Sequence, residues 1–201
     1  MESAPIVRER PILMSGPMVR AILDGRKTQT RRVVRGAPPA ATKAEFLEGV
    51  QGTKWIPARA GFFIAGPKSM GTIPCPSGDR GDRLWVRETW GYAQNEDGEE
   101  DPEAADLREG YDGPPRKWRP SIFMPRWASR LTLEITDVRV QRVQEISEAD
   151  AVAEGCAPFR GMGDSGPIWN YLALWDSLNA KRGFPWRSNP WVFAITFRRI
   201  P

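Results

Sequence analysis

Residues 25–32 read GRKTQTRR, and this stretch decides the interpretation of the chain because it places four cations and two hydroxyl groups in eight positions. The preceding SGPMVRAIL (residues 15–23) predicts a short helix that Gly25 ends, and the Thr- and Val-rich residues that follow predict a strand. Cations gathered where a helix ends can hold an anion or polarise a carbonyl group. The predicted binding residues here are Arg26, Arg31 and Arg32.

Three further stretches predict strands: LWVRETW (84–90), LTLEITDVRVQRV (131–143) and WVFAITFRR (191–199). The apolar phase of the second changes from odd to even positions, so we expect a bulge or sharp bend near Asp137. ISEADAVAEG (146–155) predicts a short helix capped by Ser147, with Asp150 as its box partner and Gly155 as its stop. A longer amphipathic helix is predicted from the spacing of Ile168, Tyr171, Leu172, Trp175 and Leu178.

Bent, alternating strands with small helices at their junctions predict an α+β fold dominated by β-structure, a closed or nearly closed mixed barrel. With 201 residues, the chain is expected to form one domain over residues 1–201. Two Gly-, Pro- or acid-rich stretches, at about 36–80 and 93–120, are expected to be long insertions, with short strand candidates around Trp55 and at residues 62–64.

Composition excludes several function classes. The chain has no histidine, which removes imidazole bases, Ser-His-Asp systems and nearly all catalytic zinc sites. Cys75 and Cys156 cannot form a four-thiolate site, although one disulfide is possible. No carboxylate cluster is spaced for a two-metal nuclease, so we expect neither a metal nor a cofactor.

The N-terminal stretch and the hydropathy predict where the protein works. The charged residues Arg8, Glu9 and Arg10 interrupt the first apolar run, so a signal peptide is not expected, and no stretch approaches the length of a membrane span. We therefore predict a cytoplasmic protein.

Charge is unevenly distributed. Residues 96–112 hold nine acids and one base, which leaves a charge of +12 on the remainder of a chain whose net charge is +4. A basic body attracts polyanions such as RNA, whereas solvated surface charge without a partner is the simpler interpretation. The acidic segment is predicted to be a solvated loop, or else to fold across the basic face and compete with nucleic acid.

The motif G-x-K-x-x-x-x-R, formed by Gly25, Lys27 and Arg32, resembles the signature of the ASCH domain, a small β-barrel related to the PUA fold. The Gly81-Asp82 turn, the long strand from residue 131, the ISEADAVAEG helix and the final strand match in the same order. The opening PILxSxPMVRAILxGRKTQTRR is similar to that of ASCH-type proteins carried by bacteriophages and prophages. The resemblance does not extend to the two insertions.

This resemblance implies recognition of RNA or of a modified nucleoside. Some small bacterial members are amidohydrolases that remove the acyl group from N4-acetylcytidine by a Lys, a Thr and a Glu, which correspond here to Lys27, Thr30 and Glu154. Lys27 would act as the base for attack by the Thr30 hydroxyl, and Glu154 would help the exocyclic nitrogen leave. In a straight strand Lys27 and Thr30 would face opposite sides, so the chain must turn between them. Alternatively, Lys27 and Arg32 hold phosphates and Glu154 pairs with an arginine.

Glu88 is a second notable carboxylate, since it shares the apolar face of its strand with Leu84 and Val86. It must pair or line a cavity, and Arg32 or Lys27 are its expected partners. Aromatic side chains at Trp85, Trp90 and Trp118 could stack on bases, although most of the nine tryptophans are expected to pack in the core. The remaining predicted substrate-binding residues are Arg87 and Arg119, and Arg126 could also reach phosphates.

We therefore predict an ASCH domain that binds RNA or a modified nucleoside and is a candidate amidohydrolase for N4-acylated cytidine. The alternative from another class is a phage-borne protein-interaction or assembly factor that uses the barrel only as a scaffold. A protein partner is compatible with both interpretations, and the sequence leaves the oligomeric state open.

Overall fold

The computed structural model describes residues 7–35, 61–66, 69–95, 97–113, 117–156 and 166–201. These residues form nine strands and three α-helices, so the prediction of a β-dominated α+β chain is confirmed at this level. The strands are β1 (Glu9–Leu13), β2 (Gln29–Val33), β3 (Gly61–Gly66), β4 (Ser69–Pro74), β5 (Arg83–Arg87), β6 (Trp90–Gln94), β7 (Glu100–Leu107), β8 (Thr132–Arg142) and β9 (Trp191–Ile200). The helices are α1 (Gly16–Leu23), α2 (Glu148–Ala153) and α3 (Pro167–Asn179).

A five-stranded sheet carries the fold, with strand order β1-β5-β8-β9-β2. Strand β1 pairs with β5 in parallel, and the other neighbouring pairs are antiparallel. The register of β8 against β9 shifts between Ile135 and Asp137, so the bulge predicted near Asp137 is confirmed. The shift returns apolar side chains to the core after the change of phase, because one extra residue restores the alternation.

The described strands do not close into a barrel, so the predicted closed or nearly closed barrel is wrong. The sheet ends at β1 on one side and at β2 on the other. One contact spans these edges: Arg32 of β2 donates from NH2 to the carbonyl of Leu13 in β1 at 3.0 Å. A cleft lies at the gap between these edges, lined by residues of both β1 and β2.

Two cores pack on opposite faces of the sheet. One contains the alternate β9 residues Trp191, Phe193, Ile195 and Phe197 together with Val19 and Ile22 of α1. The other buries Val192 against helices α2 and α3, including Tyr171 and Trp175. Because side chains alternate along a strand, β9 serves both cores at once.

Both predicted helix stops and the predicted cap are confirmed. Helix α1 ends just before Gly25, which has φ +72°. The Ser147 hydroxyl accepts a hydrogen bond from the Asp150 N–H at 3.1 Å and so caps α2. Gly155, with φ +92°, turns the chain away after α2 and keeps it close to α1.

The predicted insertions contain more regular structure than expected. Residues 62–64 lie in the hairpin β3–β4, as predicted, whereas Trp55 and the remainder of 36–60 lie outside the described residues. The prediction of an acidic loop is wrong for Glu100–Leu107, because this segment pairs with β6 as strand β7. Two carboxylates of the acidic stretch 96–112 pair with arginines outside it, Glu100 with Arg119 and Glu109 with Arg20.

Substitution of Gly155 by Ala should destabilise the protein by about 1–2 kcal/mol, because an L-residue is strained at this φ. The added Cβ would also lie 3.2 Å from Ala21 Cβ and 3.5 Å from Lys27 Cβ. Gly183→Ala is the matched control, since Gly183 has φ +87° and open space at its Cβ. Urea unfolding should show a larger loss for Gly155→Ala, and equal losses would contradict a packing role for Gly155.

Candidate functional site

Lys27 lies at the junction between α1 and β2, where the chain also meets the end of α2. Its N–H donates to the carbonyl of Ala21 in α1 at 2.9 Å, and its backbone forms an isolated antiparallel bridge with Glu154. The next residue, Thr28, donates to Ala153 at 2.8 Å and accepts from Phe197 at 2.9 Å. These backbone bonds join the motif to α2 and β9, so Lys27 and Glu154 meet although 127 positions separate them.

The Lys27 ammonium is buried and fully hydrogen bonded, with a side chain that is 0% exposed. Its three N–H groups donate to the Gln29 carbonyl at 2.7 Å, the Glu154 carbonyl at 2.8 Å and Glu154 Oε2 at 2.7 Å. Three donated bonds are the full capacity of an ammonium group. Burial nevertheless lowers the pKa of Lys27 below its ordinary value, with the Glu154 carboxylate opposing the shift.

Glu154 also binds Arg31, so one carboxylate serves two cations. Arg31 NH1 donates to Glu154 Oε1 at 3.1 Å and to Gln29 Oε1 at 2.6 Å. Its NH2 donates to Asp150 at 2.8 Å, and Gln29 Nε2 donates to the other oxygen of Asp150 at 3.1 Å. Asp150 in the first turn of α2 and Glu154 at its end therefore hold Arg31, so the guanidinium group is fixed in position.

Thr30 and Glu154 line one cleft of about 1310 Å³ at the gap between β1 and β2. Helix α3 forms another wall through Tyr171, Leu174 and Trp175. The Thr30 hydroxyl accepts a hydrogen bond from Arg32 NH1 at 3.1 Å. Lys27 is absent from the described lining and contacts Glu154 from the buried side. Of the three predicted catalytic residues, only Thr30 and Glu154 therefore line the cleft.

Cations dominate the charged residues of this cleft. Its described lining contains Arg31, Arg32, Arg35 and Arg182, against the single carboxylate of Glu154. Tyr171 adds an aromatic wall, with its ring centroid 5.7 Å from the Arg31 guanidinium carbon. Burial raises the pKa of Tyr171 well above its ordinary value, so the phenol keeps its proton. The cleft thus offers positive charge, an aromatic face and one buried acid.

The prediction of a partner for Glu88 is wrong. Glu88 is buried, and its two oxygens accept hydrogen bonds from Arg130 at 3.1 and 2.9 Å, instead of pairing with Arg32 or Lys27. Strand β5 ends one residue before Glu88, so the carboxylate lies outside the strand, beside Arg130. This bidentate pair explains how an acid can occupy the apolar face of the strand.

The other predicted binding residues lie apart from the cleft. Arg26 points to solvent and pairs with Asp24 at 2.8 Å. Trp85 is buried beneath Arg87, whose guanidinium carbon lies 4.6 Å from its ring centroid, while Trp118 packs edge-on against Tyr111. Trp90 and Arg119 line a second pocket of about 310 Å³.

Cysteine and metal chemistry receive no support from the described residues. Cys75 and Cys156 are buried free thiols, so the disulfide that the sequence left open does not form between them. Burial raises the pKa of Cys156 to about 11, which keeps it in the unreactive thiol form. Within the described ranges, no three side chains of metal-ligating type lie together, and no helix is both long and apolar enough to cross a bilayer.

Sequence reasoning missed several residues that line the two cavities. Arg35 follows β2 and Arg182 lies in the single turn Ala180–Arg182, so neither carries a periodic signal, and Tyr171 was assigned only to the apolar face of a helix. Trp127 and Phe123 lie in a Pro-flanked stretch, PSIFMPRW (120–127), whose two prolines were a signal for rigid turns.

Solved structures provide two comparisons. An ASCH domain from Lactobacillus crispatus is similar to the chain with a TM-score of 0.37 and 14% sequence identity, over 90% of this chain and 69% of that one. A protein from Enterococcus faecalis is similar with a TM-score of 0.38 and 10% identity, over 90% of this chain and 65% of that one. A scan against protein-family models and a search of curated protein sequences found no match.

The Glu88–Arg130 pair should affect how stability depends on pH. Burial raises the pKa of Glu88 above its usual value, even though Arg130 opposes the shift. The native state therefore holds this proton more tightly than the unfolded state, so the stability that Glu88 contributes is complete below the unfolded pKa of about 4.3 and is lost as pH rises through the folded pKa. In urea titrations from about pH 4 upward, we expect the unfolding free energy of the wild type to fall relative to that of Glu88→Gln as pH rises. A difference that is constant with pH would contradict it.

Proposed function

We propose that the cleft binds RNA or a modified nucleoside. The observation that carries this proposal is the combination of four arginines, an aromatic wall and a single buried carboxylate in one concave site. Arginines suit phosphates because one guanidinium group can donate two parallel hydrogen bonds to two phosphate oxygens. A carboxylate can accept hydrogen bonds from the exocyclic amine of a base. The motif resemblance to ASCH domains implies the same class of ligand.

Arg35 and Arg182 are the best groups to test this proposal. Both are exposed at the cleft and neither forms an ion pair within the described residues, so their replacement removes charge without breaking the buried network. Arg31, in contrast, is tied to Glu154 and Asp150, and its loss would disturb the fold.

Arg35→Ala and Arg182→Ala should each weaken binding of a single-stranded RNA oligonucleotide. Each lost phosphate contact should reduce the slope of log affinity against log salt by about 0.7. Arg198→Ala is the matched control, since Arg198 is an exposed arginine that pairs with Glu134 on the sheet and is absent from the described cleft lining. Fluorescence anisotropy across a salt series measures the slopes. If all three variants behave alike, the basic cleft is not the binding surface.

The second candidate function is hydrolysis of an N4-acylated cytidine in the same cleft. It is favoured by the position of the Thr30 hydroxyl on the lining that it shares with Glu154. Because the Lys27 ammonium donates all its protons, one of them to Glu154 across a 2.7 Å bond, it holds the Glu154 carboxylate in place and is not free to act as a base. The Glu154 carboxylate is then the group on the lining that can take up the Thr30 proton.

The proton balance of the reaction then follows. Thr30 Oγ attacks the acyl carbon while its proton passes to the Glu154 carboxylate on the same lining, and Glu154 then gives this proton to the departing exocyclic nitrogen. The products of this step are cytidine and an acyl-Thr30 ester. Water then hydrolyses the ester: its oxygen joins the acyl group to give the free acid, and its proton returns to Thr30 Oγ. Arg32, which donates to the Thr30 hydroxyl, would also be placed to stabilise the developing oxyanion.

Thr30→Val should abolish conversion of N4-acetylcytidine to cytidine, because it removes the nucleophile and keeps the branched shape at a buried position. Thr196→Val is the matched control, as it removes a hydroxyl that accepts from Gln29 on the neighbouring strand. Chromatography of the products measures both rates. Absence of conversion by the wild type would end the hydrolase proposal and leave the binding proposal standing, whereas a stable protein partner without RNA binding would favour a scaffold.

A further inference from the structure

A second pocket of about 310 Å³ lies beside the cleft and is walled by aromatic rings. The rings of Tyr92 and Trp127 are nearly parallel, with an interplanar angle of 21° and centroids 6.3 Å apart. Trp90 lies close to perpendicular to both, at 75° and 87°. The pocket therefore has flat apolar walls in two orientations.

The pocket is exposed and rigidly built. Phe123 is 69% exposed and Trp127 is 51% exposed, which is unusual for large apolar side chains that are neighbours at one site. They lie on two single-turn segments, Ser121–Phe123 and Arg126–Ala128, each preceded by a proline that restricts the backbone. Met124 between them is buried against Trp90, and this packing fixes the backbone that carries the exposed rings.

Arginine side chains lie around this aromatic surface, and two of them, Arg119 and Arg126, pair with Glu100 and Glu9. The Arg119 guanidinium carbon lies 4.6 Å from the Tyr92 ring centroid, and Arg119 is held by Glu100 at 2.9 Å. Arg87 donates to the Ile122 carbonyl at 3.0 Å, and the Arg126 guanidinium carbon lies 6.0 Å from the Trp85 ring centroid. Cations interleaved with exposed rings match the charge and shape of single-stranded nucleic acid, whose bases stack while its phosphates are neutralised.

The pocket and the cleft are neighbours. Ser121 lines the cleft, whereas Pro120 and Phe123, on either side of it, line the aromatic pocket. One turn thus forms the wall between the two sites. A single strand with a nucleotide in the cleft needs to cross only this turn to reach the aromatic rings.

We propose that the aromatic pocket is a second base-binding subsite, which stacks an unpaired base of the same RNA strand that occupies the cleft. This inference rests on the proposed function and narrows it: the ligand is a single-stranded oligonucleotide rather than a free nucleoside. The ring of Trp127 supplies the stacking face, and Arg119 faces the adjoining phosphate.

Binding of a single-stranded hexaribonucleotide and of cytidine to the full chain tests the subsite. Trp127→Ala and Phe123→Ala should each weaken hexanucleotide binding about tenfold, the order expected for one lost base–aromatic stack, and leave cytidine binding unchanged. Trp169→Ala is the matched control, because Trp169 is 62% exposed on α3 and is absent from the described lining of both cavities. It should bind both ligands as the wild type does.

The failures of the two proposals are distinguishable. If Arg35→Ala and Arg182→Ala weaken hexanucleotide binding while Trp127→Ala matches Trp169→Ala, the subsite is wrong and the cleft proposal stands. If the wild type does not bind the hexanucleotide, both are overturned. If a decaproline peptide binds and Trp127→Ala abolishes that binding alone, the rings form a peptide site and the subsite is again wrong.

Discussion

The ammonium of Lys27, enclosed by two carbonyls and the Glu154 carboxylate, connects the parts of this protein that matter for its site. It joins the end of α1, the start of β2 and the end of α2 in one small volume without solvent. Removing one partner of such a pair leaves a buried charge uncompensated, at a cost of about 3–5 kcal/mol. Lys27 and Glu154 therefore cannot be altered without changing both the fold and the chemistry of the cleft.

The arginines of the cleft differ in how firmly hydrogen bonds to the protein hold them. Arg31 is bound by two acids and Arg32 by the Leu13 carbonyl and the Thr30 hydroxyl, so both are fixed in place. Arg35 and Arg182 remain at the rim. Such an arrangement places oriented donors deep in the site and flexible charged side chains at its entrance, as the proposed binding of a base and its flexible sugar-phosphate backbone would require.

Local signals in the sequence predicted local structure well. Ser147 with Asp150, Gly25, Gly155 and the change of phase at Asp137 each depend on near neighbours, so a cap, two stops and a bulge could be predicted. Glu88 shows the limit: the need for a partner was clear, but the identity of Arg130, which is 42 positions away, depends on the pairing of β5 with β8. Barrel closure was mispredicted for the same reason, since it depends on which distant strand becomes a neighbour. Strand β7, in contrast, pairs with the preceding strand β6 and was missed because its acidic, proline-containing sequence carries no strand pattern.

The candidate site was predictable only in part. Thr30 and Glu154 were brought together by a family resemblance and not by spacing, and the structure adds that Lys27 lies behind them. Side chains such as Arg182 and Trp127 reach their cavities through tertiary packing, which no periodic pattern encodes. Aromatic residues are especially hard to assign, because Trp85 and Trp127 have the same chemistry in the sequence while one is buried and the other is half exposed.

The order of the strands in the central sheet also has a consequence for biosynthesis. Strand β2 has β9 as its neighbour in the sheet, and β9 is the last element of the chain. At ordinary rates of translation, about 160 residues separate their emergence from the ribosome by on the order of ten seconds. During that interval the arginines of β2 lack their strand partner, and they lack the acids Asp150 and Glu154 until α2 has been made. The basic segment of the nascent chain thus stays open until these later elements follow, and the cleft forms only when β9 has been made.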